Sequence, residues 1–142
     1  MKKLLIFFTI FLFTFSLYAQ VTPGNNLGKG LSTMRQEFPS LRYLRTDDNG
    51  DLYEDGYPED GIAMFFYFRN GSVVEECMIC ESNDGFSKMW YDSLWNNFYA
   101  KYSYAVVENT YNSKVFDFRT FKIRLIFFSE SGKDTALLVY NY

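Results

Sequence analysis

Residues 62–80 read IAMFFYFRNGSVVEECMIC, and this stretch contains the clearest structural signal in the chain. Apolar and β-branched residues run through both halves, with Asn70-Gly71 between them. An Asn-Gly pair tolerates the positive φ angles of a tight type I′ turn, so the stretch predicts a β-hairpin of strands 62–69 and 72–80. For a two-residue loop, the predicted facing pairs are Phe68 with Val73, Phe66 with Glu75 and Met64 with Cys77.

One helix is predicted before this hairpin and one after it. Leu27, Leu31, Met34 and Phe38 recur at helical spacing, and Pro39 ends that short helix. The main helix is predicted over 86–101, because its bulky side chains fall on one arc of about 140° at 100° per residue. These side chains are Trp90, Tyr91, Leu94, Trp95 and Phe98.

The rest of the chain indicates strands. A brief strand over 41–45 precedes the turn signal Asp47-Asp48-Asn49-Gly50. After the main helix, apolar residues alternate up to the end of the chain, with a change of parity near Arg119-Thr120 that predicts a bulge or corner. The order predicts the α+β class, with an antiparallel sheet and two helices packed on one face. It also predicts a flexible lead-in over 20–30 and a single domain over 31–142.

The first nineteen residues have the three parts of a secretory signal peptide. A lysine pair precedes an apolar run from Leu4 to Leu17, and Ala19 stands before Gln20. Signal peptidase requires a small residue at this position, so the pattern predicts removal of residues 1–19. A membrane anchor is the alternative, because the run is only slightly shorter than the roughly 17 to 25 residues that span a bilayer. Polar residues follow at once, which favours cleavage.

Cleavage predicts a periplasmic or secreted protein that is not inserted in the membrane after its signal is removed. Removal of Lys2 and Lys3 leaves 12 basic residues against 17 acidic ones. This mildly acidic chain lacks the basic patch that binds nucleic acid, so a nucleic-acid partner is not expected.

Histidine is absent from the sequence, which removes Ser-His-Asp catalysis, Cys-His catalysis and histidine-ligated zinc from consideration within one chain. Cys77 and Cys80 form a C-x-x-C pair, and three interpretations stay open for it: a local disulfide, two buried thiols, or a redox pair. Residues three apart in an extended strand are separated by roughly 10 Å, so a disulfide requires the strand to end or bulge between them. We expect no zinc, because further Cys or His ligands are lacking.

An acidic stretch over 47–60 is the other candidate site. It contains seven carboxylates and no basic residue, and oxygen-rich loops of exported proteins can hold calcium. The EF-hand pattern nevertheless fails, because Leu52 replaces the required Gly and Pro58 replaces the bidentate Glu. A solvated acidic loop is the favoured interpretation, and no cofactor or metal is assigned.

Two resemblances accompany these observations. The order helix, strands, helix, strands resembles the repeated helix-plus-sheet halves of the secreted β-lactamase-inhibitor-like proteins. The Phe-rich leader ending in Tyr-Ala-Gln and the Phe, Tyr and Asn content are similar to those of small exported proteins of unknown function in Bacteroidetes. The second resemblance implies an envelope location and no defined activity.

The leading functional hypothesis is an exported, non-catalytic binding or interaction domain. Its partner is expected to be an envelope protein or a glycan, contacted by aromatic side chains. The candidate contact residues are Tyr53, Tyr57, Tyr91 and Trp95. The alternative is an enzyme of the envelope, either a thiol-disulfide enzyme using Cys77 and Cys80 or one that uses carboxylates without histidine.

Overall fold

The computed structural model describes residues 26–56 and 62–142 of the chain. It contains two α-helices, α1 (Leu31–Glu37) and α2 (Phe86–Tyr102), and a 3-10 turn at Ser103–Ala105. The eight strands are β1 (Arg42–Asp47), β2 (Gly50–Asp55), β3 (Ile62–Arg69), β4 (Ser72–Ser82), β5 (Val106–Asn109), β6 (Ser113–Asp117), β7 (Lys122–Glu130) and β8 (Lys133–Asn141). The predicted signal peptide 1–19 lies outside the described residues.

All eight strands form one antiparallel sheet in the order β1-β2-β3-β4-β8-β7-β6-β5. Each half of the described chain repeats one arrangement, a helix followed by four strands paired in sequence order. The two halves join where β4 pairs with β8, at the centre of the sheet. The α+β class with an antiparallel sheet, predicted from the order of elements, is therefore confirmed.

The β3–β4 hairpin forms at the predicted place, with Asn70 and Gly71 at φ 53° and 78°. Phe68 pairs with Val73 as predicted. A register shift between Tyr67 and Phe68 then displaces the remaining pairs by one residue. The observed pairs are Phe66 with Glu76 and Met64 with Met78. The bulge keeps Val73 and Met78 buried on either side of the shift, because an extra residue in one strand restores the buried parity.

The segment predicted as a solvated acidic loop over 47–60 is partly a strand, and this prediction is wrong for its first half. Residues 50–55 form β2, which pairs with β1 on one side and β3 on the other. Leu52, Tyr53 and Glu54 are buried within it. Asp and Glu are rare in strands, but pairing with two neighbours and burial of two apolar side chains outweigh that weak preference.

The apolar residues form two core clusters. In the first, Tyr91 and Phe98 of α2 pack with residues of the central strands, among them Met78, Leu125 and Leu138. In the second, Met34 of α1 packs with four strand residues: Tyr53, Phe66, Phe68 and Val73. Met64 packs against both clusters and connects them.

Residues 26–30 are tied to β4, so the predicted flexible lead-in over 20–30 does not describe them; residues 20–25 lie outside the described range. Gly28 donates its backbone N–H to the carbonyl of Val73, and Val73 donates to the carbonyl of Lys29. Asn26 is buried and donates its side-chain amide to the carboxylate of Glu76 over 3.0 Å. The helix of this region begins at Leu31 after Gly30, so it contains Leu31 and Met34 of the predicted apolar set, whereas Leu27 and Phe38 flank it.

Both edge strands of the sheet are irregular. The pairing of β1 with β2 shifts between Tyr43 and Arg45, and the pairing of β5 with β6 shifts between Val106 and Glu108. The extra residues are Leu44 and Val107, which are 39% and 66% exposed. Such bulges are a common feature of edge strands that must not pair with another chain.

Candidate functional site

Cys77 and Cys80 lie inside β4 and are both free thiols. Residues three apart in a strand point to opposite faces of the sheet, and the register agrees: Cys77 pairs with Phe65, whereas Cys80 pairs with Ile62. Cys80 belongs to the first core cluster, and Cys77 does not. A bond between the two sulfur atoms therefore requires β4 to leave the sheet.

Burial and the nearby carboxylates of Glu75 and Glu76 raise the pKa of the Cys77 thiol to about 12. Burial also raises the pKa of Cys80. The thiolate is the nucleophile in disulfide exchange, so both positions disfavour the reactive form. The thiol-disulfide hypothesis gains no support from this arrangement.

The raised pKa of Cys77 predicts a loss of stability at high pH. The unfolded thiol ionises near its ordinary value of 9.0 and the folded one near 12, so the stabilisation is complete below pH 9 and is lost above it. We expect the free energy of unfolding to fall by up to about 1.4 kcal/mol per pH unit in this range. Denaturant titrations between about pH 8 and pH 11 measure this slope. The matched variant Cys77→Val should show a shallower slope, and an identical slope would contradict the assignment.

The acidic side chains around the β1–β2 turn are engaged with residues of the same hairpin. The backbone N–H of Asn49, the hydroxyl of Tyr67 and the guanidinium of Arg45 lower the pKa of Asp47. Thr46 donates its hydroxyl to Asp51 over 2.6 Å. Within residues 26–56 and 62–142, no group of three or more metal-ligating side chains is placed to hold an ion. Glu59 and Asp60 fall outside that range.

The four aromatic residues predicted as a contact surface do not come together at solvent. Tyr53 is 7% exposed in the second core cluster and Tyr91 is 2% exposed in the first. Tyr57 lies outside the described residues. Trp95 is partly buried and packs on Phe116, at a ring distance of 5.5 Å. The prediction that Tyr53 and Tyr91 are contact residues is therefore wrong. Both are core residues, because each ring is packed among the buried side chains of its cluster.

One face of Trp95 is covered by a cation. The ammonium of Lys114 lies 4.7 Å from the centre of its ring and donates to the side chain of Asn109 over 2.6 Å. Tyr99 packs against the same indole at 4.8 Å. Because these neighbours already occupy the ring, Trp95 offers little free aromatic surface to a ligand.

A different apolar surface lies on the sheet itself. Residues that alternate with the core residues along a strand point to the opposite face, and directly paired residues share a face. The register thus places six partly exposed side chains on one surface, which we call the second face: Phe65, Cys77, Ile79, Ile126, Leu137 and Val139. None of the six belongs to either core cluster or packs against one.

The second face is organised in rows across the four central strands. One row runs Phe65, Cys77, Val139 and Arg124, and the next runs Ala63, Ile79, Leu137 and Ile126. Phe128 of β7 continues the apolar surface and is 41% exposed. Large contiguous apolar patches on soluble proteins often serve as interaction sites, so the second face is a candidate for one.

Charged residues around the second face are mostly paired with each other. Arg42 forms an ion pair with Glu54 over 2.6 Å, and Lys133 forms one with Glu81. Arg124 differs, because it is exposed and has no ion pair to another described residue. Among residues 26–56 and 62–142, the second face is therefore an apolar centre with one unpaired cation and a rim of neutralised charges.

A shallow hollow of about 770 Å³ lies on the outer side of α2 and contains two carboxylates, Asp92 and Asp134. Lys88 forms an ion pair with Asp92, and Ser129 donates its hydroxyl to Asp134. Both carboxylates are thus engaged in local contacts. The alternative of a carboxylate enzyme gains little support from this hollow, because its residues are mostly exposed and polar.

No protein-family model, curated protein or solved structure matches this chain. None of the described helices is long and apolar enough to span a bilayer. The second face therefore stands as a candidate site on its own geometry.

Proposed function

We propose that this chain is an exported, non-catalytic binding domain, periplasmic or secreted, whose second face binds an apolar surface of a protein partner. The observation that carries this proposal is the contiguous row of partly exposed apolar side chains across β3, β4, β8 and β7. Burial of such a patch is favourable by roughly 25 cal/mol for each Å² removed from water.

The proposal includes the packing of both helices on the opposite face of the sheet. Met34 of α1 packs with Phe66, and Tyr91 of α2 lies in the cluster of Met78. Met64, which pairs with Met78, is two residues from Phe66 in the same strand and therefore shares its face. We further propose that each half of this chain resembles a half of the β-lactamase-inhibitor-like proteins. The repeated order of one helix and four strands supports this likeness.

A protein is favoured over a glycan as the partner because of the chemistry of this surface. Sugars are bound through free aromatic ring faces and polar groups that await a hydrogen bond. The centre of the second face is largely aliphatic, and charges at its rim are already paired, as in Arg42–Glu54. An apolar centre inside a polar rim is the usual anatomy of a protein–protein interface.

Photo-cross-linking in the native host tests the proposal. The photoreactive benzoylphenylalanine replaces Phe128 on the second face or, as a control, Tyr104, which is 79% exposed and follows α2. Both substitutions exchange one aromatic residue for another, so the fold is retained. We expect irradiation to give a discrete cross-linked protein from position 128 and no corresponding product from position 104.

Equal products from both positions, or none from position 128, would contradict the proposal. A glycan array probed with the purified domain tests the remaining alternative, that the second face binds a glycan. Specific glycan binding that is abolished by the Phe128 substitution would show that the partner is a sugar and not a protein.

A further inference from the structure

We propose that the protein partner of the second face is a second copy of this chain, packed face to face about a two-fold axis that runs parallel to the strands between β4 and β8. This inference rests on the proposed function and names its partner. It follows from the order and register of the central strands.

The position of the axis follows from the sheet. Four strands lie on each side of the boundary between β4 and β8, so rotation about that boundary places the two sheets in full overlap. It sets β4 over β8 of the second copy, and β3 over β7 of the second copy. Stacked sheets lie about 10 Å apart and usually cross at about 30°, which corresponds to an axis about 15° from the strand direction, so the rows nearest the axis keep their partners best.

The facing residues nearest the axis are apolar. Cys77 lies opposite Val139 of the second copy, and Ile79 lies opposite Leu137 of the second copy. One strand further out, Ala63 lies opposite Ile126 of the second copy. The two-fold symmetry repeats each of these contacts, so the centre of the interface is formed by aliphatic side chains and a thiol.

The same rotation gives the unpaired cation a partner. Arg124 lies opposite Phe65 of the second copy, and Glu54 of the second copy lies beside that ring because it pairs with Phe65 in the register. A guanidinium over an aromatic face is a favourable arrangement, and Glu54, although paired with Arg42 of its own copy, adds an acceptor beside it. Lys122 likewise lies opposite Tyr67 of the second copy.

The other in-plane axis is disfavoured by charge. A two-fold axis perpendicular to the strands stacks β4 on β4 of the second copy and sets Glu75 opposite Glu81, which share the second face at similar distances from its centre. Lys133 pairs with Glu81, so this repulsion is small, but the same axis also sets Arg124 opposite Ile126 of the second copy and leaves the guanidinium without a partner. The parallel axis instead sets Glu75 opposite Asn141 of the second copy.

The available area is sufficient for a stable dimer. Eight strands spaced about 4.8 Å apart span roughly 38 Å, and their average length of about seven residues spans roughly 24 Å. Each copy thus contributes roughly 900 Å², close to the roughly 800 Å² per partner of a standard interface.

Sedimentation of the processed chain over a concentration series tests the dimer. We expect a monomer–dimer equilibrium. We expect Arg124→Glu to raise its dissociation constant about tenfold or more, because the guanidinium is lost and a carboxylate is placed against the Phe65 ring of the second copy. Arg119→Glu is the matched control, since Arg119 is an exposed arginine in the turn between β6 and β7, and it should leave the constant unchanged. Arg124 is exposed, so its substitution preserves the fold, which circular dichroism checks.

A chain that stays monomeric at high micromolar concentration would overturn this inference, as would a dimer that Arg124→Glu and Leu137→Lys leave intact. Mass spectrometry of the photoproduct from position 128 then distinguishes two failures. A product that joins this chain to a different protein would contradict the dimer but would still support the proposed function. The absence of any product would contradict both the dimer and the proposed function.

Discussion

Phe66→Ala is expected to lower the free energy of unfolding by about 3–5 kcal/mol, the range for removal of a large aromatic ring from a core. Phe66 is fully buried in β3, packs on Phe38 at a ring distance of 5.1 Å and belongs to the cluster that includes Met34. Alanine leaves a cavity where α1 meets the sheet, and the rigid strand pairing on both sides of β3 limits its collapse.

Phe65→Ala is the matched control for this variant. The two phenylalanines are neighbours in the same strand, but Phe65 lies on the second face and is only partly buried. We expect a loss of about 1 kcal/mol at a concentration that keeps the protein monomeric. Denaturant titration of both variants gives the comparison, and equal losses would show that the two faces of β3 have been assigned wrongly.

Gly50→Ala is expected to lower the free energy of unfolding by about 3 kcal/mol or more, through strain at the β1–β2 turn. Gly50 has a φ angle of 128°, which side chains rarely adopt. A Cβ atom at this position would overlap the backbone carbonyl oxygen of Phe68 in β3. Backbone atoms of a paired strand cannot move aside cheaply, so we expect the β1–β2 hairpin to detach.

Gly71→Ala separates the steric effect from the effect of backbone angle alone. Gly71 has a φ angle of 78°, but a Cβ atom there would meet nothing within 4 Å. We expect a loss of about 1 kcal/mol, the usual cost of a left-handed angle for alanine. Thermal unfolding measures both variants, and hydrogen exchange shows whether β1 and β2 alone lose protection in Gly50→Ala. A smaller loss for Gly50→Ala than for Gly71→Ala would refute the steric explanation.

Local signals predict the elements in which neighbouring residues decide the structure. The Asn70-Gly71 turn fixes the β3–β4 hairpin because its two left-handed angles are a property of those residues alone. The main helix was likewise predictable, and it spans Phe86–Tyr102 against the predicted range 86–101. The change of parity near Arg119 corresponds to the turn between β6 and β7, where Arg119 has a φ angle of 71°.

Non-local contacts decide the features that local patterns miss. The strand β2 is stable because both of its neighbours pair with it and because Arg42 neutralises Glu54, and neither fact is visible in its acidic sequence. The register shift in β4 is set by which valine and methionine fill the core. Tyr91 appeared suitable for ligand contact, but its ring is buried and its hydroxyl donates to the backbone carbonyl of Tyr111.

The second face was also missed, although the sequence carried a signal for it. Strands 62–68 and 136–140 are almost continuously apolar, and such runs are typical of strands that are covered on both sides. Two helices of 7 and 17 residues cannot cover both sides of an eight-stranded sheet. The continuity of these runs, rather than the tyrosines, is the better indicator of a contact surface.

The bulges at Leu44 and Val107 have a consequence for how far assembly can proceed. They interrupt the outermost strands at both ends of the sheet, so a neighbouring molecule cannot add its own strand there in register. Growth by lateral addition, the route to fibrils, is thereby opposed at both ends, and the proposed contact through the second face would cover the apolar patch of each copy. Association of this chain should stop at a finite, closed complex and should not propagate.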